Sequence, residues 1–310
     1  MNTHRKVLHI EQIGFIPTNR SFDFCLGEIK VVESFNASQQ EMKTRSNKDG
    51  FLYPPQIATF QMKDSNLGVP ARMAGPLPNS TKPASLYKLP ASHEIRLLET
   101  YTDDPLNNEC LFLVQFLAFL FSTRAHVTQY WIDRRIPLQK GHDYVLHEPA
   151  IPKLVNDACK VWIDVGESSK RLFLTNLLTM HNRVFAYNWD WEQFLIAYTV
   201  FDGCYKFLIK QGVISPSKSH AERWNVVMEK IGIPPNPTLL KLIVGLRNSL
   251  FHETLWDGGQ PCTGRSRDAF MSSSYIKKIC ARVLLYILGY RGEYLTESNW
   301  WTLGSGCVLK

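Results

Sequence analysis

No two of the seven cysteines, at positions 25, 110, 159, 204, 262, 280 and 307, form a C-x-x-C pair. Their odd number and scattered spacing argue for reduced thiols rather than a disulfide framework or a cysteine-built zinc site. The chain also lacks a long apolar run. The longest, Cys110 to Phe121, contains Gln115 and falls short of the roughly twenty residues a membrane span requires, so a buried helix is expected there. Met1 to Ile10 carries charge throughout and has no apolar centre of a secretory leader; no export is expected, and the expected location is cytoplasmic. Internal repeats, low-complexity tracts and a credible metal-ligand cluster are absent as well, so neither a metal nor a cofactor is expected.

What is present is a chain of 310 residues, 45% hydrophobic and 20% charged, enough for one large core or two smaller ones. Lys and Arg exceed Asp and Glu by 35 to 28, a net charge of +7. That excess fits a polyanionic partner such as nucleic acid, and equally a mildly basic protein without one.

The pattern predicts an α+β fold, with a small β-rich N-terminal domain over residues 1–100 and an all-α helical bundle over 101–310. Phe22, Phe24 and Leu26 alternate with polar neighbours and precede Ile29-Lys30-Val31-Val32, as in a half-buried hairpin. Strands and loops are expected throughout this first part, the polar stretch from Asn36 to Gly50 being an interruption. Pro70, Pro76, Pro78 and Pro83 exclude regular helix between Asp64 and Pro90. Its role is read as sensing or regulation. Asp104-Pro105 then reads as a cap followed by proline at the first helical position, opening a helix to about Thr123. Tyr130-Trp131-Ile132-Asp133-Arg134-Arg135 is either a basic aromatic nucleic-acid contact or a solvated helix end.

Helical spacing follows in Phe173, Leu177, Met180 and Val184, and again in Phe194, Leu195, Tyr198, Phe201, Tyr205, Leu208 and Ile209. Further helices are expected at about 219–231, 237–252 and 270–289. The helix opened by Asn236-Pro237 carries Leu240 and Ile243 on its buried stripe, and Arg247 falls on that same stripe. A guanidinium there needs a partner, because a lone buried charge costs several kcal/mol. Asp202, four residues after Tyr198, lies on the apolar face of the preceding long helix. A contact between Asp202 and Arg247 is therefore expected, either as part of a site or merely to fix helix register. Asn248 and His252 share one face beside Gly245, while Arg247 and His252 stand about 140° apart on an ideal helix, so the arginine must bend to reach the imidazole. Arg and His at a helix end are also ordinary macrodipole partners, and the bare spacing does not separate the two readings.

The segment Leu246-Arg247-Asn248-Ser249-Leu250-Phe251-His252-Glu253 resembles the Arg-Asn-x-x-x-His motif of the HEPN superfamily. The helix from Phe194 to Asp202 is similar to the first helix of many HEPN domains, with its acidic residue near the centre. The resemblance covers about 185–290 and is nearest to the C-terminal HEPN domains of ApeA-like proteins. It implies a helical bundle that pairs as a homodimer and a metal-independent endoribonuclease of anti-phage defence, abortive infection or a toxin system. The implied substrate is RNA, tRNA among the candidates, and the implied activator is a phage-derived or protein trigger. The implied catalytic residues are His252 as acid or base, Arg247 as stabiliser of phosphate charge, Asn248 as an orienting amide and Asp202 as a residue that orients Arg247 or its symmetry mate. Arg265 and Arg267, in the loop after Trp256-Asp257-Gly258-Gly259, are candidate RNA-backbone contacts or simply solvated cations. The alternative is a non-catalytic HEPN module that dimerises or binds RNA or protein.

Overall fold

The computed structural model describes residues 7–48, 51–52, 57–62, 71–76, 86–101, 109–128, 132–133, 135–138, 143–187, 189–259, 266–302 and 307–310. Strands β1 (His9–Ile13), β2 (Phe22–Phe24) and β3 (Gly27–Val31) open the chain, the last two forming the expected hairpin. An 11-residue helix, α1 (Phe35–Arg45), follows. It corrects the expectation of strands and loops alone. Gln39, Gln40, Glu41, Met42 and Lys43 are good helix formers, and Phe35, Ser38 and Met42 form its one buried stripe.

Short strands β4 (Phe51–Leu52), β5 (Ile57–Met62), β6 (Ala71–Pro76) and β7 (Leu86–Tyr87) lead to β8 (His93–Leu97). β5 and β6 pair antiparallel. The main sheet is antiparallel in the order β1-β8-β3-β2. Along β8, His93, Ile95 and Leu97 point inward, while Arg96 on the outer face bridges Glu94 and Glu28. Gly27 lets β3 cross β8 closely, since an added Cβ would lie 1.9 Å from the Arg96 carbonyl oxygen.

The inner face of this sheet belongs to the same apolar core as the helices. Ile13, Phe24, Leu26, Ile29, Ile95 and Leu97 pack with side chains of α2 (Glu109–Leu120) and α3 (Ile151–Asp164). A smaller cluster of Phe15, Phe35, Met42, Leu52, Leu89 and Ile136 lies under α1. As expected from its composition, α2 is buried on almost every side, and its one amide is satisfied. Gln115 Nε2 donates to the Ala125 carbonyl at 3.1 Å, and Asn182 Nδ2 donates back to Gln115 Oε1 at 3.1 Å. The cap expected at Asp104-Pro105 lies outside the described residues.

Between α2 and α3 run β9 (Ile132–Asp133), β10 (Ile136–Pro137) and β11 (Tyr144–Leu146). The segment expected to be a solvated helix end is thus part strand, β9 pairing with β7 and β10 with β4. Arg135 Nη2 donates to the Tyr187 carbonyl and its guanidinium covers the Phe51 ring at 4.0 Å, so this cation ties the two parts together. Tyr130, Trp131 and Arg134 lie outside the described residues.

The bundle continues with α4 (Ser168–Val184), α5 (Asp190–Lys210), α6 (His220–Ile231), α7 (Pro237–Asn248) and α8 (Arg267–Ile287). The fold is therefore α+β, with eight α-helices among the described residues. α5 and α8 lie against each other along much of their length, and α6 and α7 pack on each other and on α8. No helix among the described residues is long and apolar enough to cross a membrane.

A charged network holds α8 in place. Arg282 is fully buried, its Nη2 donating to Asp143 Oδ2 at 3.0 Å and to Asn299 Oδ1 at 2.5 Å. Nη1 donates to the Lys278 carbonyl at 3.0 Å and to the Tyr294 hydroxyl at 3.1 Å. Tyr294 in turn donates to Asp143 Oδ1, and burial pushes its phenol well up, so it remains a donor. The network brings the chain after α8 to β11, where β12 (Cys307–Leu309) pairs in parallel. Removing the cation leaves Asp143 unpaired in the interior, so Arg282→Met is expected to lose about 3–5 kcal/mol in urea denaturation, with part recovered in the Arg282→Met/Asp143→Asn double variant.

His93 makes stability depend on pH. Burial pushes its imidazole down to about 4, against a smaller opposing contribution from the Arg20 backbone. The unfolded chain binds a proton near the ordinary value of about 6.5 and the folded chain does not. Stability is therefore full above about pH 6.5 and falls by about 3 kcal/mol from this residue as pH drops to about 4. His93→Phe should flatten that slope in denaturation series, and an unchanged slope would clear His93 of the effect.

Candidate functional site

The helix that carries the Arg-Asn-x-x-x-His segment begins as its sequence dictates. Asn236 Oδ1 accepts from the Leu239 amide at 3.2 Å, Pro237 occupies the first turn, and Leu240, Ile243 and Leu246 are buried. After Asn248 the α-helix gives way to one π-helical turn, Ser249–Glu253. Thr254 closes it in the left-handed conformation, with φ 59° and ψ 28°, and the Leu255 amide donates back to the Ser249 carbonyl at 3.1 Å. Trp256, fully buried, anchors the turn edge-on against Phe194 of α5 at 4.9 Å.

The π turn solves the angular problem of the sequence. Residues five apart diverge on an α-helix but come into line where the hydrogen bonds run over five residues. Arg247 Nη1 accordingly donates to His252 at Nε2, 3.1 Å away, and to Asn248 Oδ1, also at 3.1 Å. An arginine has no acceptor, so His252 offers a lone pair at Nε2 and, when neutral, carries its proton on Nδ1. The imidazole is exposed, and the guanidinium lies 4.7 Å over the Phe251 ring. Arg247, Asn248 and His252 are thus brought together as expected.

Asp202 does not meet Arg247 within the chain as expected. Its Oδ1 accepts from Arg223 Nη1 at 3.1 Å and lies 3.8 Å from His220 Nδ1, while no carboxylate among the described residues stands within 4.0 Å of Arg247. The reason is α6, whose first turns bring Arg223 and His220 to the carboxylate. A complete capping box, Ser219 with Glu222, fixes where that helix starts. Trp224 seats it on α5, stacked on Phe201 at 3.4 Å and donating from Nε1 to the Tyr198 hydroxyl at 3.3 Å. That hydroxyl stands 3.1 Å from His220 Nδ1.

These groups form one electrostatic neighbourhood. Burial holds the His220 imidazole below its usual range; the charges of Arg247, Arg223 and His252 press it further down and Asp202 opposes them. Burial likewise pushes the Tyr198 phenol up to about 12. Two guanidiniums and one carboxylate act on His220 and Tyr198, and the Nε atoms of Arg223 and Arg247 are buried donors with no acceptor among the described residues. Such a site has unused donors and excess positive charge, which suits an anion.

His220, Arg223 and Tyr198 were not singled out by sequence reasoning. The signal for the first two was the Ser-x-x-Glu box, which fixes the start of α6 and puts His220 and Arg223 three residues apart on one face. Of the two loop arginines, Arg265 lies outside the described residues. Arg267 is the exposed first residue of α8 and makes no hydrogen bond to Arg247, Asn248 or His252. No group of three or more His, Cys, Asp or Glu placed to hold a metal occurs among the described residues. Comparisons of the chain with protein-family models, with curated proteins and with solved structures returned no match.

The left-handed Thr254 is a β-branched residue in a conformation that costs about 1–2 kcal/mol relative to glycine. Thr254→Gly should therefore raise stability by about 1 kcal/mol in urea denaturation while leaving the π turn intact. A loss of stability would mean that Thr254 makes a compensating contact.

Proposed function

We propose that the protein is a metal-independent endoribonuclease of the HEPN type, acting as a homodimer in anti-phage defence or a toxin system. The observation that carries this reading is the Arg247–His252 hydrogen bond on an exposed π turn. It offers a basic nitrogen and a cation at one point on the surface.

RNA cleavage through its own 2′-hydroxyl needs a base, an acid and a cation for the crowded phosphorane. An arriving phosphate draws the Arg247 guanidinium away from Nε2, freeing its lone pair. His252 then takes the 2′-hydroxyl proton, O2′ bonds to phosphorus, and the P–O5′ bond breaks as O5′ receives a proton. The products are a 2′,3′-cyclic phosphate and a 5′-hydroxyl. Asn248 holds Arg247 by Nη1, the same nitrogen that donates to the imidazole. Asp202 serves by holding Arg223 beside His220 rather than by touching Arg247. In the family this chain resembles, a second motif across the dimer supplies the other imidazole. RNA is the partner, and the trigger is a protein or phage-derived molecule sensed outside the bundle.

Purified protein should cut RNA in EDTA and leave cyclic phosphate ends detectable by mass spectrometry. His252→Ala, at an exposed position, should remain folded and lose roughly 100-fold or more of the rate. Equal cutting by the variant would sink the mechanism. The exposed Phe251 and Phe270 favour a second reading, a non-catalytic module that dimerises or binds RNA or protein, which predicts RNA binding without cleavage in the same assay.

A further inference from the structure

We propose that His220 is a second catalytic residue of this site, the acid that protonates the leaving O5′, so that one chain carries both proton-transfer groups of the reaction. The inference rests on the ribonuclease reading and changes where its acid comes from.

His220 is the first residue of α6, a helix packed directly on α7, and its side chain is only partly exposed. Three groups surround its Nδ1 side: the Tyr198 hydroxyl at 3.1 Å, Asp202 Oδ1 at 3.8 Å, and Arg223, held by the same carboxylate at 3.1 Å. Tyr198 already accepts from Trp224 Nε1, which fixes the phenol oxygen in place. An imidazolium can donate from Nδ1 to that oxygen, with the carboxylate close behind. Its Nε2–H is then the proton with no described acceptor, and the one to be given away. His252 is held differently. Its Nε2 receives a hydrogen bond from Arg247 and is therefore a base, so the two imidazoles differ in role as well as position.

The cations make this acid depend on substrate. Burial is the largest influence against a proton on His220; Asp202 favours one, and the Arg247 and Arg223 guanidiniums oppose it. A phosphodiester against the two guanidiniums offsets their charge, so His220 takes up a proton as RNA binds. Before RNA arrives it is largely neutral at pH 7.

Two measurements test this on the full chain. In the first, His220→Gln should lower kcat by roughly 100-fold with little change in KM, and the alkaline limb of the pH–rate profile should disappear. The same variant should cut at close to the wild-type rate an oligonucleotide with sulfur in place of the scissile O5′, because a leaving thiolate needs no proton. His252→Ala should stay inactive on that substrate. In the second, NMR titration of wild-type protein should show the His220 imidazole shifting to a higher pKa on addition of 2′-O-methyl RNA, which binds and cannot be cleaved; this reading does not depend on the variant folding.

Wild-type protein that cuts RNA while His220→Gln keeps its rate and pH profile would overturn the role of His220 and leave the ribonuclease reading standing. A failure of the sulfur-containing substrate to rescue His220→Gln, or no shift in the titration, would also overturn it. If wild-type protein cuts neither substrate, the ribonuclease reading falls first.

Discussion

A guanidinium sealed in the interior governs this architecture. Arg282 cannot be solvated where it lies, so everything around it is arranged to supply acceptors: a carboxylate from before α3, a carbonyl from its own helix, and a phenol and an amide from the chain that follows. The carboxylate, the phenol and the amide belong to three different segments, and satisfying one cation therefore fixes three pieces of backbone relative to α8. α8 in turn is the surface on which α5, α6 and α7 assemble, and those three helices with the π turn after α7 carry every group of the candidate site.

The site itself depends on a departure from regular helix. Had α7 continued unchanged, Arg247 and His252 would point about 140° apart. One π turn brings them together, held by Trp256 locked against Phe194, while the left-handed Thr254 that returns the chain adds to its cost. The second half of the site comes from α6, whose position is set by a capping box and an aromatic stack rather than by the charges it presents. Rigid apolar contacts thus hold polar groups that would otherwise repel one another.

Much of the bundle was legible in the sequence, because α4, α5, α7 and α8 carry apolar residues at helical spacing. α3 carries the same signal in Leu154, Val155, Ala158, Cys159 and Trp162, although no separate helix was expected there. α1 escaped because a surface helix with three buried residues is mostly polar. Periodicity gave the face on which Asp202 lies but not the neighbour it meets, since that depends on which helix packs there. The π turn has no period of its own to detect, and β12 exists only because β11 is beside it. The approach of Arg247 to His252 was foreseeable; the means by which they meet was not.

The order of segments along the chain has a consequence for synthesis. Tyr294, Asn299 and β12 all follow α8, so a ribosome releases the helices of the site before it releases the acceptors that settle Arg282. Until those residues emerge, Arg282 has the Asp143 carboxylate and the Lys278 carbonyl but neither the phenol nor the amide that completes its set of acceptors. The seating of α8, on which α5, α6 and α7 rest, is accordingly completed only when the last residues of the chain arrive.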